Sequence, residues 1–382
     1  MQVDLPRCTG GTRRVSLPQG VNPAGLVVMP GLVDLTCDPG FPGFPVRETP
    51  ASLAAAALAG GFTDLLLEPA VDPVRDTPEQ VERTPSLGGG VRGWPVAAMT
   101  MGLAGQALSE IGLLVRAGCV AISDGGRPVR DTVVLRNILE YAGAFDVLVI
   151  ARPADPDLDV LGVVDEGPFA ARVGLRGNPS SNEHIGVYRL LSLCESSGAR
   201  LHLTHIGTAE SVALIVAAQA RGLPVTASTP ARNLILDNRL VLERPYDSRL
   251  RLHPPLRQPR DREALIAAVR AGALVLTADH RPRAPEEKEL EFERAVPGST
   301  GLESALGAAL LALQDPSLVA EALSLGPRRV AGLAAGPEIL VDTTSVRRVS
   351  AAAHRSCSRS DALEGWELPG QVLAVLPSEE GG

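Results

Sequence analysis

Short apolar runs recur along this chain, and each is followed by a turn and then by a segment in which apolar residues are three and four positions apart. Most of the runs are continuously apolar rather than alternating, which predicts strands covered on both faces, as in a parallel sheet. The runs lie at 32–36, 63–69, 95–101, 119–124, 146–153, 200–206, 224–228 and 274–280. Their regular alternation with helical segments predicts repeated βαβ units.

The helical segments between the runs carry clear start and stop signals. In "TPASLAAAALAGG", Thr49 is placed to cap a helix, Pro50 suits its first turn, and glycine ends it. The segments at 107–118, 209–222 and 261–273 end in a similar way, in Gly or Ala-Gly. Eight strand and helix units in about 300 residues favour a closed (β/α)₈ barrel. An open doubly wound sheet stays as the alternative, because closure cannot be read from the sequence.

The two ends of the chain do not follow this pattern. Residues 1–30 and 336–382 lack long helical segments but contain strand-like pieces such as "EILVDTT" and "QVLAVLP". We therefore expect the barrel to occupy 31–335 and both termini to form one small β subdomain. The last residues, "SEEGG", are expected to form a loose tail.

Composition narrows the class of protein. The chain is 45% hydrophobic and 21% charged, which is typical of soluble globular proteins, and no apolar run approaches the roughly 18 residues of a membrane span. Acidic residues outnumber basic ones by 44 to 36 and aromatics are 3%, which argues against nucleic-acid binding. The five cysteines are scattered and the N-terminus lacks a secretory pattern, so we expect a cytoplasmic protein with reduced thiols.

Candidate chemistry lies where the predicted strands end, because barrels of this type place their active sites there. A metal-dependent hydrolase needs several imidazoles or carboxylates around one or two cations. Only three histidines fall at strand ends, and none forms an HxH pair. Cys37 has no evident base partner, so we expect it to serve in packing. The polar residues at the strand ends are Thr36, Asp38, Glu68, Asp124, Arg152, His202, His205, Ser228, Asp279 and His280.

From about residue 25 to 375 the chain resembles the dihydroorotases of the amidohydrolase superfamily. The resemblance is carried by "GLVDL", "GGFTDLLLEPAVDPVRDTPEQVE", "EIGLLVRAGCVAISDGGRPVRD", "DEGPFAARVGLRG", "HIGTAESVALI", "HPPLR", "ADHRPRAPEEKELEFE", "GLESAL" and "ALEGWELPGQVLA". It implies a (β/α)₈ TIM barrel of amidohydrolase type with a small β subdomain formed by both termini, in agreement with the periodicity.

Within this resemblance, the positions that carry the family's chemistry have changed. The family's HxHxR motif, with two metal ligands and a substrate-binding arginine, corresponds to Thr36, Asp38 and Gly40. The other degenerate positions are Ala70 for a substrate-contacting asparagine, Arg152 for the strand-five histidine ligand, His253 for the asparagine before "PPLR", and Arg283 for the last histidine of "DHAPH". The resemblance therefore predicts that the metal site has been lost.

A few remnants of the site survive. His205 matches the strand-six ligand, Asp279 matches the strand-eight ligand and general base, and Asp124 lies near the aspartate that bridges metals in one dihydroorotase class. The bridging carboxylated lysine of the other class is excluded, because the only lysine, Lys288, follows the eighth strand. One hypothesis is a residual metal site formed by Asp38, Asp124, His205 and Asp279. We prefer the hypothesis that Arg152, together with Arg232, pairs with Asp279 or Asp124 in place of the metal.

These departures favour a catalytically inactive dihydroorotase-like protein with no catalytic residue and no metal cofactor. Such chains, by resemblance, are structural or assembly subunits for aspartate carbamoyltransferase in pyrimidine biosynthesis. The resemblance implies a homo-oligomer within a hetero-dodecamer with the transferase catalytic subunit. The alternative is an active metal-dependent cyclic amidohydrolase with zinc in a rebuilt site, interconverting dihydroorotate and N-carbamoyl-aspartate.

Overall fold

The computed structural model describes residues 2–17, 22–160 and 162–377. Its strands, numbered in chain order, are β1 Gln2–Pro6, β2 Thr12–Ser16, β3 Leu26–Pro30, β4 Leu32–Cys37, β5 Phe62–Leu67, β6 Arg92–Ala98, β7 Ala121–Ser123, β8 Leu148–Ala151, β9 Val164–Asp165, β10 Gly177–Asn178, β11 Leu201–Leu203, β12 Val225–Pro230, β13 Val275–Thr277, β14 Glu338–Arg348 and β15 Glu367–Leu376.

Helices follow most of the barrel strands. They are α1 Pro50–Gly60, α2 Pro78–Glu82, α3 Ile111–Arg116, α4 Thr132–Ala144, α5 Pro168–Val173, α6 Ser181–Ser197, α7 Ala209–Ala220, α8 Arg239–Glu243, α9 Pro259–Arg270, α10 Pro285–Lys288, α11 Leu302–Leu313, α12 Pro316–Ala320 and α13 Gly326–Ala331. A π-helical turn, Glu321–Leu325, joins α12 to α13. No helix in the described ranges combines the length and the hydropathy needed to cross a lipid bilayer.

Eight strands form one parallel sheet in the order β13-β12-β11-β8-β7-β6-β5-β4. The two outer strands of this order, β4 and β13, come together through the hydroxyls of Thr36 and Thr277, whose oxygens are 2.8 Å apart. Just beyond them, the Asp38 amide donates to the His280 carbonyl at 2.9 Å. The predicted barrel is therefore confirmed, and the open sheet is excluded.

The barrel strands coincide with the predicted runs, but several are shorter. The run predicted at 200–206 contributes only Leu201–Leu203 to the sheet, and the run at 274–280 contributes only Val275–Thr277. Beyond Leu203, the Thr204 and Ile206 amides still donate to the carbonyls of Ala151 and Ser228 at 3.0 Å, but the strand itself has ended. The polar ends of these runs are therefore loop residues, which frees their side chains to converge.

The capping predicted for the first barrel helix is confirmed. The Thr49 side chain accepts a hydrogen bond from the Ser52 amide at 3.2 Å, and the Ser52 hydroxyl accepts one from the Thr49 amide at 2.9 Å. Gly61 ends α1 with a φ of 84°, a conformation that favours glycine.

A second, smaller sheet takes strands from both ends of the chain. β14 lies between β3 and β15 and pairs antiparallel with each, while β1 and β2 form a hairpin. Leu5, Val15, Val28 and Leu340 join the hairpin and the sheet in a shared apolar cluster. The tail predicted at 378–382 lies outside the described residues.

Candidate functional site

Arg281 lies at the centre of the barrel mouth, four residues beyond β13. Its Nε donates to Asp279 Oδ1 at 2.7 Å, and its Nη2 donates to Glu68 Oε1 at 2.9 Å. The same Nη2 lies 3.5 Å from His205 Nε2. One guanidinium group therefore bridges residues that follow β5, β11 and β13.

Asp279 has three side-chain partners at the mouth. Besides Arg281, it accepts a hydrogen bond from Arg232 on Oδ2 and lies 2.7 Å from His205 Nε2 through Oδ1. Burial by itself would raise the pKa of Asp279, but the charges of His205, Arg232 and Arg281 hold that pKa well below its usual range. The Asp279 carboxylate is therefore ionised, and both of its oxygens are engaged.

Asp38 has an arginine partner of its own. Arg283 Nη1 donates to Asp38 Oδ2 at 2.8 Å, and the Gly40 amide donates to Asp38 Oδ1 at 3.1 Å. Arg283 also donates through Nε to the Pro297 carbonyl at 2.8 Å. Three carboxylates, from Asp38, Glu68 and Asp279, are thus matched by three guanidinium groups, from Arg232, Arg281 and Arg283. We call these six side chains the arginine–carboxylate network.

Arg152 does not pair as expected. Its Nη1 and Nη2 donate to the two carboxylate oxygens of Asp159, at 2.9 and 2.6 Å, and its Nε donates to the Gly126 carbonyl at 3.0 Å. The expected ion pair with Asp279 or Asp124 is therefore wrong for Arg152, although it is found for Arg232. The reason is that Asp159, on the loop after β8, folds back over the strand end, where His253 Nε2 also approaches it to 3.1 Å.

Asp124 has no arginine within hydrogen-bonding distance in the described structure. Its Oδ1 accepts a hydrogen bond from the Gly126 amide at 2.7 Å, within the tight turn of "SDGGRP". Burial raises the pKa of Asp124 to about 7, and the charge of Arg152 offsets that effect only in part. Asp124 thus lies beside the arginine–carboxylate network without entering it.

The other histidines near the mouth are held by structural contacts. His202 lies inside the barrel, with Nδ1 and Nε2 each 2.9 Å from the hydroxyls of Thr226 and Ser228. Burial lowers its pKa to about 3, so His202 is neutral. His280 lies 3.1 Å from Glu48 through Nε2, and its Nδ1 accepts a hydrogen bond from the Gly301 amide at 3.4 Å.

The backbone at two of these positions is unusual. His205 has a φ of 61° and Asp279 a φ of 48°, in the left-handed region that non-glycine residues rarely adopt. Such conformations persist where the surrounding structure holds them, and they concentrate at functional sites. The barrel therefore holds His205 and Asp279, the two residues predicted to match family metal ligands, in strained backbone conformations.

Comparison with known proteins shows where this arrangement belongs. The model of a family described as dihydro-orotase-like matches residues 25–211. The chain is 36% identical over 373 residues to a dihydroorotase of Desulfotalea psychrophila, an alignment that covers 94% of this chain and 88% of the relative. It is 39% identical over 365 residues to a dihydroorotase of Anaeromyxobacter dehalogenans, with 91% of this chain and 84% of the relative covered. This chain belongs to the dihydroorotase family.

Solved structures of more distant proteins share the architecture. An L-hydantoinase of Arthrobacter aurescens superposes with a TM-score of 0.81 at 19% identity, over 95% of this chain and 88% of that chain. At that level of identity the likeness shows the fold alone. The dihydroorotase-family barrel is thus confirmed from sequence and from structure.

The dihydroorotase resemblance implies a zinc site, and the side chains at this mouth do not fit one. In the described parts of the chain, no three histidine, cysteine or acidic side chains converge as metal ligands. The carboxylates of Asp38 and Asp279 already accept from Arg283, Arg232 and Arg281. A guanidinium never deprotonates in a protein, so a dication placed here would face fixed positive charge at hydrogen-bonding distance from its ligands.

The residues predicted to be degenerate positions of the dihydroorotase motifs make structural contacts at the barrel mouth. Thr36 is buried against Thr277, Gly40 forms a turn with a φ of 67°, and Ala70 lies beside the Gly125 turn. His253 lies at the mouth, beside Asp159. None of these residues adds a metal ligand to His205 and Asp279.

Sequence reasoning missed Arg281, the residue that bridges Glu68 and Asp279. Its signal was present in the stretch "DHRPR", where two arginines flank a proline two and four residues after Asp279. Residues two apart in extended backbone project to the same side. This spacing could have grouped Arg281 with Arg283.

Replacing Asp124 with asparagine is expected to stabilise the protein above neutral pH. Because the folded-state pKa of Asp124 is raised to about 7, the folded state binds a proton that the unfolded state releases near pH 4. Stability is therefore lost as the pH rises through that window. We expect Asp124→Asn to gain about 1–3 kcal/mol more at pH 8 than at pH 4, measured by urea unfolding. Asp4→Asn, an exposed control, should show no such difference, and an equal gain at both pH values would contradict the assignment.

Proposed function

We propose that this dihydroorotase-family protein is a catalytically inactive subunit that supports the assembly of aspartate carbamoyltransferase in pyrimidine biosynthesis. The observation that carries the proposal is Arg281, which bridges Asp279 and Glu68 at the place where the family binds metal. The chain retains the barrel of the family, while the acidic side chains at its mouth are paired with arginine.

The chemistry that these residues could supply is weak. Opening a cyclic amide requires an activated water molecule and a polarised carbonyl group, and general acid–base help alone contributes about 10²- to 10⁴-fold. Asp279 matches the family's general base, but its pKa is held well below the usual range by His205, Arg232 and Arg281. A carboxylate of that kind has little tendency to accept a proton from water.

The assembly role rests on the dihydroorotase resemblance. Related active dihydroorotases form a dodecamer of six barrels and two transferase trimers, and inactive members act there as structural subunits. This chain spans most of its dihydroorotase relatives, 88% in one case, so a barrel of the full size is present for such an assembly.

A second candidate is an active cyclic amide hydrolase that interconverts dihydroorotate and N-carbamoyl-aspartate. The names of the relatives favour it, because a protein 39% identical over 91% of this chain is called a dihydroorotase. His205 and Asp279 also remain at the family's ligand positions. This candidate requires Arg281 and Arg283 to leave the carboxylates so that a metal can bind.

The two candidates are separated by measuring metal content and turnover on the purified chain. Under the proposal, protein purified with added zinc contains less than stoichiometric metal and converts neither dihydroorotate nor N-carbamoyl-aspartate. Mixed with the aspartate carbamoyltransferase of the same organism, it should co-elute in size-exclusion chromatography and change the activity of the transferase.

Each outcome bears on one part of the proposal. Stoichiometric zinc with turnover in the isolated chain would overturn the inactive reading and establish the second candidate. Separate elution with unchanged transferase activity would overturn the assembly role, even if the chain proved inactive.

A further inference from the structure

A cavity separate from the barrel mouth lies beside α2, between the loop that follows β5 and the segment that follows α2. Its volume is about 300 Å³, at the lower end of the roughly 300–1,000 Å³ that is typical of small-molecule sites. None of its described lining residues belongs to the arginine–carboxylate network or lines the two cavities at the barrel mouth. We call it the α2 cavity. Three prolines and a valine form its apolar wall, and its polar lining residues are Arg75, Gln80, Arg83 and Thr84.

Arg75 differs from the other buried arginines of the described chain, because it has no carboxylate partner there. Seven arginines are buried in the described ranges, and the six that form ion pairs with an acid are Arg13, Arg152, Arg232, Arg257, Arg283 and Arg328. Arg75 is only 2% exposed. Its Nη1 donates instead to the carbonyls of Leu67, Glu68 and Val96, at 2.9, 3.1 and 3.2 Å. The positive charge of Arg75 therefore lies inside the protein without a counter-charge from the described chain.

The guanidinium group of Arg75 has donors left for another partner. Its side-chain hydrogen bonds to described residues all use Nη1, so Nε and Nη2 donate to none of them. Burial lowers the pKa of Arg75 to about 10, and no charge in the described chain opposes that effect. The group is still a cation at pH 7, and a buried cation is costly unless an anion accompanies it. Because Arg75 lines the α2 cavity, an anion bound there would supply the missing counter-charge.

The other polar residues of the α2 cavity are also suited to an anion. The buried hydroxyl of Thr84 has no hydrogen-bond partner in the described structure, although buried polar groups normally have one. The hydrogen bond that Gln80 donates to the Thr77 hydroxyl comes from its backbone amide, so its side-chain amide is available to a ligand. Arg83 lies at the exposed rim, where it pairs with Glu79 at 2.6 Å. No aspartate or glutamate is among the described lining residues, so the lining favours a negatively charged ligand.

We propose that the α2 cavity binds a tetrahedral oxyanion, phosphate or a phosphate monoester, held by Nε and Nη2 of Arg75 and by the hydroxyl of Thr84. Arginine binds phosphate through two parallel N–H donors, and hydrogen bonds between opposite charges are stronger than neutral ones. A carboxylate has only two oxygens, which Arg75 alone would occupy, whereas phosphate has further oxygens for Thr84 and Gln80. The site goes beyond the assembly role and does not depend on it, because no residue of the arginine–carboxylate network takes part.

Isothermal titration calorimetry on the full chain, in Tris buffer at constant ionic strength, tests the proposal with inorganic phosphate. Phosphate is expected to bind with a dissociation constant of about 1 mM or lower. Malonate, which carries a similar charge on two planar carboxylates, should bind at least about 10-fold more weakly, because it leaves Thr84 without an acceptor. Phenyl phosphate separates the two sources of the oxyanion. If it binds at least as tightly as phosphate, the cavity takes a phosphate monoester, and weaker binding assigns the cavity to free phosphate.

Variants locate the binding within the α2 cavity. Thr84→Val removes a hydroxyl that has no partner in the described structure, so the fold should be kept while phosphate affinity falls by about 10-fold. Gln80→Glu places a carboxylate in the lining, where it competes with the anion for Arg75, and should abolish saturable binding. Ser86→Glu makes the same change of charge at an exposed position two residues beyond Thr84 and should alter the affinity by less than about 3-fold. Thermal melts followed by circular dichroism verify that each variant is folded.

Three results would overturn the proposal. The first is the absence of saturable heat with phosphate and with phenyl phosphate. The second is binding of malonate as tight as that of phosphate, which would remove the preference for a tetrahedral anion. The third is unchanged phosphate affinity in folded Thr84→Val and Gln80→Glu, which would place the bound phosphate outside the α2 cavity.

Discussion

Arg281→Met is expected to lower the free energy of unfolding by about 3–5 kcal/mol at pH 7.5. The substitution removes the cation that bridges Glu68 and Asp279, at 2.9 and 2.7 Å. Burial already raises the pKa of Glu68, and Arg281 is the first charge that opposes this effect. Without Arg281, Glu68 is left buried without a partner. Urea unfolding followed by circular dichroism measures the change.

Two comparisons distinguish loss of the ion pairs from loss of packing. Removing the Glu68 charge as well, in Arg281→Met with Glu68→Gln, should recover part of the deficit, because one unpaired carboxylate is then absent. Arg136→Met breaks an exposed pair with Glu140 and should cost less than about 1 kcal/mol. The deficit of Arg281→Met should also shrink at pH 5, where unpaired carboxyl groups protonate. A deficit as small as that of Arg136→Met would contradict the bridging role.

Asp159→Asn is expected to cost about 3 kcal/mol at pH 7, because it leaves the buried guanidinium of Arg152 without its carboxylate. Asp159 accepts two hydrogen bonds from Arg152, and His253 lies within hydrogen-bonding distance. Burial would raise the pKa of Asp159, but His253 and Arg152 hold that pKa far below its usual range. The experiment is urea unfolding of wild type and variant across pH.

The sign of the pH dependence follows from that lowered pKa. The stabilisation from Asp159 is present above the unfolded-state pKa, near 4, and is lost as the pH falls towards the folded-state value. The difference between wild type and Asp159→Asn should therefore be largest near neutral pH and shrink below about pH 4. Asp157→Asn removes an exposed carboxylate from the same loop and should change stability by less than about 0.5 kcal/mol. Equal effects at the two positions would show that the Arg152 pair contributes nothing special.

Pairing with guanidinium groups explains how the mouth accommodates its buried acids. Asp38, Glu68 and Asp279 are buried, and ionised carboxylates are costly inside a protein unless they are paired. Arginines from the loops after β12 and β13 supply that pairing without a cofactor.

Much of the architecture could be predicted from the sequence, because local patterns determine it. The continuous apolar runs placed the eight barrel strands, and Thr49 and Gly61 marked the ends of α1. Thr36, Asp38 and Gly40 could also be recognised as departures at the first strand end. Each of these inferences depends on residues close together in the chain.

The partners within the site were decided only by the tertiary structure. Asp38 and Arg283 are 245 residues apart, and Glu68 and Arg281 are 213 apart, so no local pattern links them. Arg152 was expected to reach Asp279 or Asp124 but bonds Asp159, seven residues along the chain. A long arginine side chain can reach several carboxylates around a barrel mouth, and its choice depends on how the loops fold over the strand ends. The sequence therefore predicted which polar residues lie at the strand ends, and the tertiary structure decided which arginine neutralises which acid.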